Sequence, residues 1–168
     1  MRNARRTTAA LVMLSLAAML LSGCASQDSE LEAALAPPHL TSGASVMQEA
    51  QLQFREGNYG RSVDLFAQIV ETDPANSEAW LGLAASYDQI RRFDLADKAY
   101  QQLVQRVGEN SVVLNNIGYS HFLRGDFDAA RAKLEAAHGL SPENEIITSN
   151  IELLNRKLVS MGAQPVIL

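Results

Sequence analysis

The chain repeats itself every 34 residues, and that period restricts its fold more than any other feature. With Gly43, Ser77 and Ser111 each set at position 1, three units align without a gap. Position 8 is then Ala50, Ala84 and Gly118, and position 17 is Tyr59, Phe93 and Phe127. Position 24 is Phe66, Tyr100 and Leu134, and position 27 is Ile69, Leu103 and Ala137. In the second unit Trp80, Leu83, Ala84 and Tyr87 fall at helical spacing near Ser77–Ile90, and Ala96, Ala99, Tyr100 and Leu103 near Asp94–Val107. A unit of two short helices cannot bury its apolar face alone, so successive units must stack. Small residues at positions 8 and 20 let the paired helices close up, and bulky ones at 4, 7, 11, 24 and 27 fill the space around them. On this reading Ala96→Leu overpacks the pair at a cost of about 1–3 kcal/mol, and Trp80→Ala costs about 3–5 kcal/mol.

The punctuation agrees. Asp73-Pro74 and Ser141-Pro142 end the second helix of the first and third units, because proline cannot continue a helix. Gly57 and Gly125 stand at the turn between paired helices, where a positive φ costs glycine little. The pattern resembles the tetratricopeptide repeat (TPR), which implies an all-α solenoid of helical hairpins. The resemblance sets a TPR domain at 43–161, with repeats 43–76, 77–110 and 111–144. Ile147, Ile151, Leu154 and Leu158 form one stripe from Glu143 to about Met161, which predicts a capping helix over 145–161. Gly108 replaces the usual proline and Arg91 the turn glycine, while Glu49, Gln53 and Ser62 stand where Leu, Tyr and Ala are common. The tail, 162–168, is apolar at its end; it frays, folds back on the cap, or docks into a partner.

The first residues read as a targeting segment. Arg2, Arg5 and Arg6 precede an uncharged run from Thr7 to Leu21, shorter than the ~20 apolar residues a membrane-spanning helix needs. Leu21-Ser22-Gly23-Cys24 resembles a bacterial lipobox, which implies a signal peptide over 1–23, cleavage before Cys24 and acylation of that residue. Cys24 is the sole cysteine, so no internal disulfide competes for it. The competing reading is an ordinary secreted protein with a stray thiol. Acyl chains contribute about 0.8 kcal/mol per buried methylene, so two or three anchor a protein durably. Ala25 rather than aspartate follows the cysteine, which by resemblance to enterobacterial sorting implies the periplasmic face of the outer membrane. Residues 24–42 are rich in Ser, Ala, Pro and acids; they read as a tether with Pro37-Pro38 near its end and a short helical piece through Glu30–Ala36. Its expected reach is ~20–25 Å.

The chain carries 14 Lys and Arg against 19 Asp and Glu, a net charge of −5, which becomes −8 once Arg2, Arg5 and Arg6 leave with the leader. Nothing in that balance, or in any basic cluster, draws the protein to nucleic acid. No G-x-S-x-G elbow, H-E-x-x-H, phosphate loop or Cys/His metal spacing is present, so an enzyme, a metal site, a cofactor and a small-molecule substrate are not expected. His39, His121 and His138 are scattered and read as structural.

What remains is a surface. In TPR folds the first helix of each unit lines a concave groove, with positions 2, 5, 9, 12 and 13 facing it. Carried onto this sequence, that rule gives Met47, Gln51, Phe54 and Arg55, then Leu81, Ala85, Asp88 and Gln89, then Val112, Asn115, Tyr119 and Phe122, with Asn116 one step round. Phe54 and Phe122 alternatively pack between repeats. The Lys/Arg/Asn clamp by which some TPR domains hold a C-terminal carboxylate is absent, because positions 5 and 9 of the first unit are Met47 and Gln51. An extended or helical peptide with apolar anchors suits the lining better. Asn115, Asn116 and Tyr119 are the expected contacts to a bound backbone.

Asn115-Asn116-Ile117-Gly118-Tyr119-Ser120 and Leu123-Arg124-Gly125-Asp126-Phe127-Asp128-Ala129-Ala130 are similar to segments of the TPR lipoproteins of Tad (Flp) pilus clusters, the TadD group. That resemblance spans roughly residues 43–158 and implies an outer-membrane scaffold that assembles or localises a pilus secretin. An adaptor docking peptidoglycan hydrolases, or an outer-membrane assembly factor, shares fold, anchor and groove and stays open at this point.

Overall fold

The computed structural model describes residues 43–167, and with no strand among them they form seven α-helices. These are α1 (Gly43–Arg55), α2 (Tyr59–Thr72), α3 (Ser77–Gln89), α4 (Phe93–Val107), α5 (Ser111–Arg124), α6 (Phe127–Leu140) and α7 (Glu145–Ser160). The leader, the lipobox with Cys24, the tether with its Glu30–Ala36 piece and His39 lie outside the described residues. No described helix is long and apolar enough to cross a membrane. Helices pack as hairpins α1–α2, α3–α4 and α5–α6, each leaning on the next, with α7 closing the last.

Asparagine starts the later units. Asn76, Asn110 and Asn144 each precede a helix, and their side chains accept from the amides of Ala79 (3.0 Å), Val113 (3.0 Å) and Ile147 (3.3 Å). These caps recur at the 34-residue period and satisfy amides that the helix leaves free, each contributing about 1 kcal/mol.

Inside each hairpin the small positions are closed: Ala50, Ala84, Ala96 and Ala130 have no exposed surface. Gly118 is needed where it stands, since a Cβ there would lie 2.8 Å from Leu134 Cγ. Position 24 is buried throughout, as Phe66, Tyr100 and Leu134. Ser62, at a position usually alanine, is buried with its hydroxyl 3.1 Å from the Ala50 carbonyl oxygen and 2.9 Å from Ser86 Oγ. Glu49 and Gln53, both half-buried, pair with each other at 2.8 Å in the first hairpin, which has no preceding repeat among the described residues.

The capping stripe behaves as its spacing predicts. Ile147, Ile151, Leu154 and Leu158 join Leu114, Leu134 and Ala137 in one buried cluster. The tail folds back onto it: Val166 is buried in the same cluster, and Asn155 brackets it by accepting from its N–H (2.6 Å) and donating to its carbonyl (3.0 Å). Arg131 donates to the carbonyls of Gln164 and Pro165. Trp80 departs from expectation. It is not a core filler but half-buried, with Nε1 donating to the Pro74 carbonyl (2.9 Å) and the Arg106 guanidinium 5.0 Å over its ring.

Candidate functional site

The first helices of the hairpins, α1, α3 and α5, share a groove made of two abutting cavities. The open one, 320 Å³, spans α1 and α3 and is lined by Gln51, Phe54, Arg55, Leu81 and Ala85. Phe66 reaches it from α2 because Gly82 has no side chain: a Cβ there would meet the Phe66 ring at 2.3 Å. Glu78 stands at its edge and accepts from Gln51 Nε2 (2.6 Å). Asn116 of α5 closes the far side. The second cavity, 270 Å³, lies deeper towards α5 and shares Phe54, Ala85 and Asn116 with the first. Asp88, Gln89, Tyr100 and Tyr119 complete its lining.

Asp88 organises the joint between the second and third hairpins. The residue is 3 % exposed, and its carboxylate accepts from Ser120 Oγ (2.6 Å) and the Tyr100 hydroxyl (3.0 Å). Arg124 Nη2 in turn donates to Ser120 Oγ (2.7 Å), and its guanidinium makes a two-pronged pair with Asp97 at 2.9 and 2.7 Å while lying 5.0 Å over Phe93. Burial raises the Asp88 pKa above the ordinary carboxylate value, against the pull of the Ser120 and Tyr100 hydrogen bonds and of Arg124. Burial also pushes the Tyr100 phenol well up, with Asp88 adding to it. The bonds to Asp97 raise Arg124.

Of the residues that the position rule selects, Gln51, Phe54, Arg55, Leu81, Ala85, Asp88, Gln89, Asn116 and Tyr119 are brought together here. Four are not among the lining. Asn115 is buried and accepts from Asn150 Nδ2 (2.9 Å), so it ties α5 to the cap instead of meeting a ligand. Phe122 packs against the cap's core and lies 5.9 Å from the Phe127 ring. Met47 sits half-buried and Val112 half-exposed beyond the two cavities. Asp88 lines the groove as a buried joint residue and not as a free surface acid. Sequence reasoning missed Phe66, Gly82, Tyr100 and Glu78. Glu78 occupies position 2 of its unit and was within reach of the rule; a glycine inside α3 was the available signal for Phe66. Among the described residues no group of His, Cys, Asp and Glu is arranged to hold a metal ion.

Two family models, both described as tetratricopeptide repeat, match residues 53–114 and 86–145, and together they span more than half of the chain. The fold is similar to the second TPR domain of human RPAP3, solved with the HSP70 peptide SGPTIEEVD: 21 % identity, TM-score 0.58, 67 % of this chain and 93 % of that one. It is similar to the Sgt2 TPR domain of Aspergillus fumigatus at 18 % identity and TM-score 0.61, over 79 % and 93 %. Pseudomonas aeruginosa pilF matches at 22 % identity and TM-score 0.59, over 71 % of this chain and 55 % of pilF.

Proposed function

Because this chain belongs to the tetratricopeptide-repeat family, a family of protein-interaction scaffolds, we propose that its groove captures a segment of a protein partner and holds it at a membrane. The observation that carries this reading is the pair of abutting cavities, 320 and 270 Å³, with apolar walls and a few converging amides and acids. The peptide seen on human RPAP3 ends in Glu-Glu-Val-Asp. This groove does not suit such an end, since Arg55 is the sole cation among its lining residues and a buried Asp88 opposes further negative charge.

The lipobox ending at Cys24 supports acylation of that residue and anchorage at the periplasmic face of the outer membrane. With the similarity to Tad pilus lipoproteins over residues 43–158, it makes a pilus secretin the partner of choice. Tethering raises the effective concentration of the groove around membrane-bound targets without any new contact. Cys24→Ser is expected to abolish palmitate labelling and leave the leader uncleaved; continued labelling contradicts the anchor. Affinity capture from mildly cross-linked membranes, read by mass spectrometry, is expected to recover a secretin with other pilus components. Recovery of peptidoglycan hydrolases or outer-membrane assembly factors without a secretin replaces the pilus role by that of a general envelope adaptor.

A further inference from the structure

We propose that the deeper half of the groove is a receptor for a cationic side chain, so that the captured segment carries a lysine or arginine beside an apolar anchor. This deepens the reading of the groove as a capture site and rests on it. At 270 Å³ the cavity is below the roughly 300–1,000 Å³ of pockets for drug-sized molecules, and it suits a single long side chain. Three aromatic residues, Phe54, Tyr100 and Tyr119, line the cavity together with Asp88, and the Tyr100 hydroxyl donates to its carboxylate. Aromatic walls around an acid are the surroundings that recognise ammonium and guanidinium groups.

The bonding of Asp88 argues for the same occupant. Both of its donors, Tyr100 from α4 and Ser120 from α5, are neutral hydroxyls. Arg124 makes no direct ion pair with Asp88: its guanidinium is bonded to Asp97 and to Ser120, and its charge reaches Asp88 at longer range. From α1 the cavity receives Phe54, and the cation Arg55 lines the neighbouring half. A buried carboxylate without a direct counter-ion is costly, and each of its oxygens accepts from one hydroxyl and keeps capacity for another donor. An incoming ammonium or guanidinium supplies both the charge and the donors. The adjoining half, walled by Phe66, Leu81 and Gly82, takes the apolar neighbour. The net charge of −5 favours approach of a basic segment at longer range.

The test is selection of a random-peptide phage library on the full-length protein, followed by binding of the synthesised peptides. Recovered sequences are expected to be enriched in Lys or Arg next to Leu, Ile or Phe. Replacing the selected lysine by norleucine should lower affinity about tenfold. Asp88→Asn should erase that difference. Asn116→Lys, which places a cation in the cavity and leaves the bonds of Asp88 alone, should erase it too, and it covers the case in which Asp88→Asn disturbs the joint. Groove-bound peptides without a basic preference, or a preference unchanged in both variants, overturn the cationic receptor and leave peptide capture standing. Recovery of no peptide whose binding Leu81→Glu abolishes overturns both.

Discussion

Gly57, Arg91 and Gly125 occupy the same place in successive hairpins and share one backbone, with φ of +79°, +61° and +85°. The following amides, of Asn58, Arg92 and Asp126, all reach back 2.9 Å to the carbonyls of Gln53, Tyr87 and His121. The turn therefore imposes the left-handed conformation whatever the side chain. Arg91→Gly is expected to stabilise the protein by about 1 kcal/mol in urea unfolding, since the left-handed region costs a residue with a Cβ about 1–2 kcal/mol and the exposed contact of Arg91 with Phe93 returns less. Gly118→Ala should act in the opposite direction. Its new Cβ meets Leu134 Cγ at 2.8 Å and the Leu134 amide nitrogen at 3.2 Å, so a loss of about 1–3 kcal/mol is expected in the same assay. Asp88 gives a pH signature. Its folded pKa is raised above 3.8, so its contribution is most favourable in acid and is lost as pH rises through the folded value. The stability difference between the parent and Asp88→Asn should therefore move in the variant's favour from about pH 4 towards neutrality, and a flat difference contradicts a carboxylate destabilised by burial.

Among the elements, helix positions were legible because a 34-residue period and a helical stripe are both long signals. The second hairpin's helices were expected at Ser77–Ile90 and Asp94–Val107 and occur at Ser77–Gln89 and Phe93–Val107. The asparagine caps were equally visible in the period but carry no apolar pattern, so attention to the hydrophobic columns passes over them. Trp80 and Asn115 were misread for one reason: a repeat position gives a direction from the helix axis, not what the neighbouring element places there. Pro74 and Arg106 hold the indole at the surface, and Asn150 of the cap claims the amide. The tail was undecidable from sequence because a single valine has no periodicity. Asn155 settles it by holding both backbone groups of Val166. Asn155→Ala should release the segment, and hydrogen exchange at the Val166 amide is expected to speed up while the α3 amides keep their protection. Unchanged protection at Val166 would show that side-chain burial alone pins the tail.

At the scale of the molecule, each joint between successive hairpins, and between the last hairpin and the cap, carries its own polar pair within an apolar stack. Ser62 and Ser86 mark the first joint, Asp88 with Ser120 the second, and Asn115 with Asn150 the third. The groove crosses the first two joints, so a bound segment contacts α1, α3 and α5 together and should stabilise the stack by linkage. The position rule recovered most of this lining because it encodes the direction of the first helices; it could not supply Phe66 or Tyr100, which arrive from second helices through gaps that only packing reveals. Capture of a partner in the groove is best read by site-specific photocross-linking in the native envelope, with the probe at Ala85, which lines both cavities, and a control probe at the exposed Glu135 of α6. A discrete adduct to one partner protein is expected from position 85 and none from position 135. Equal adducts from both positions, or a partner captured at 135 and not at 85, would contradict capture in the groove.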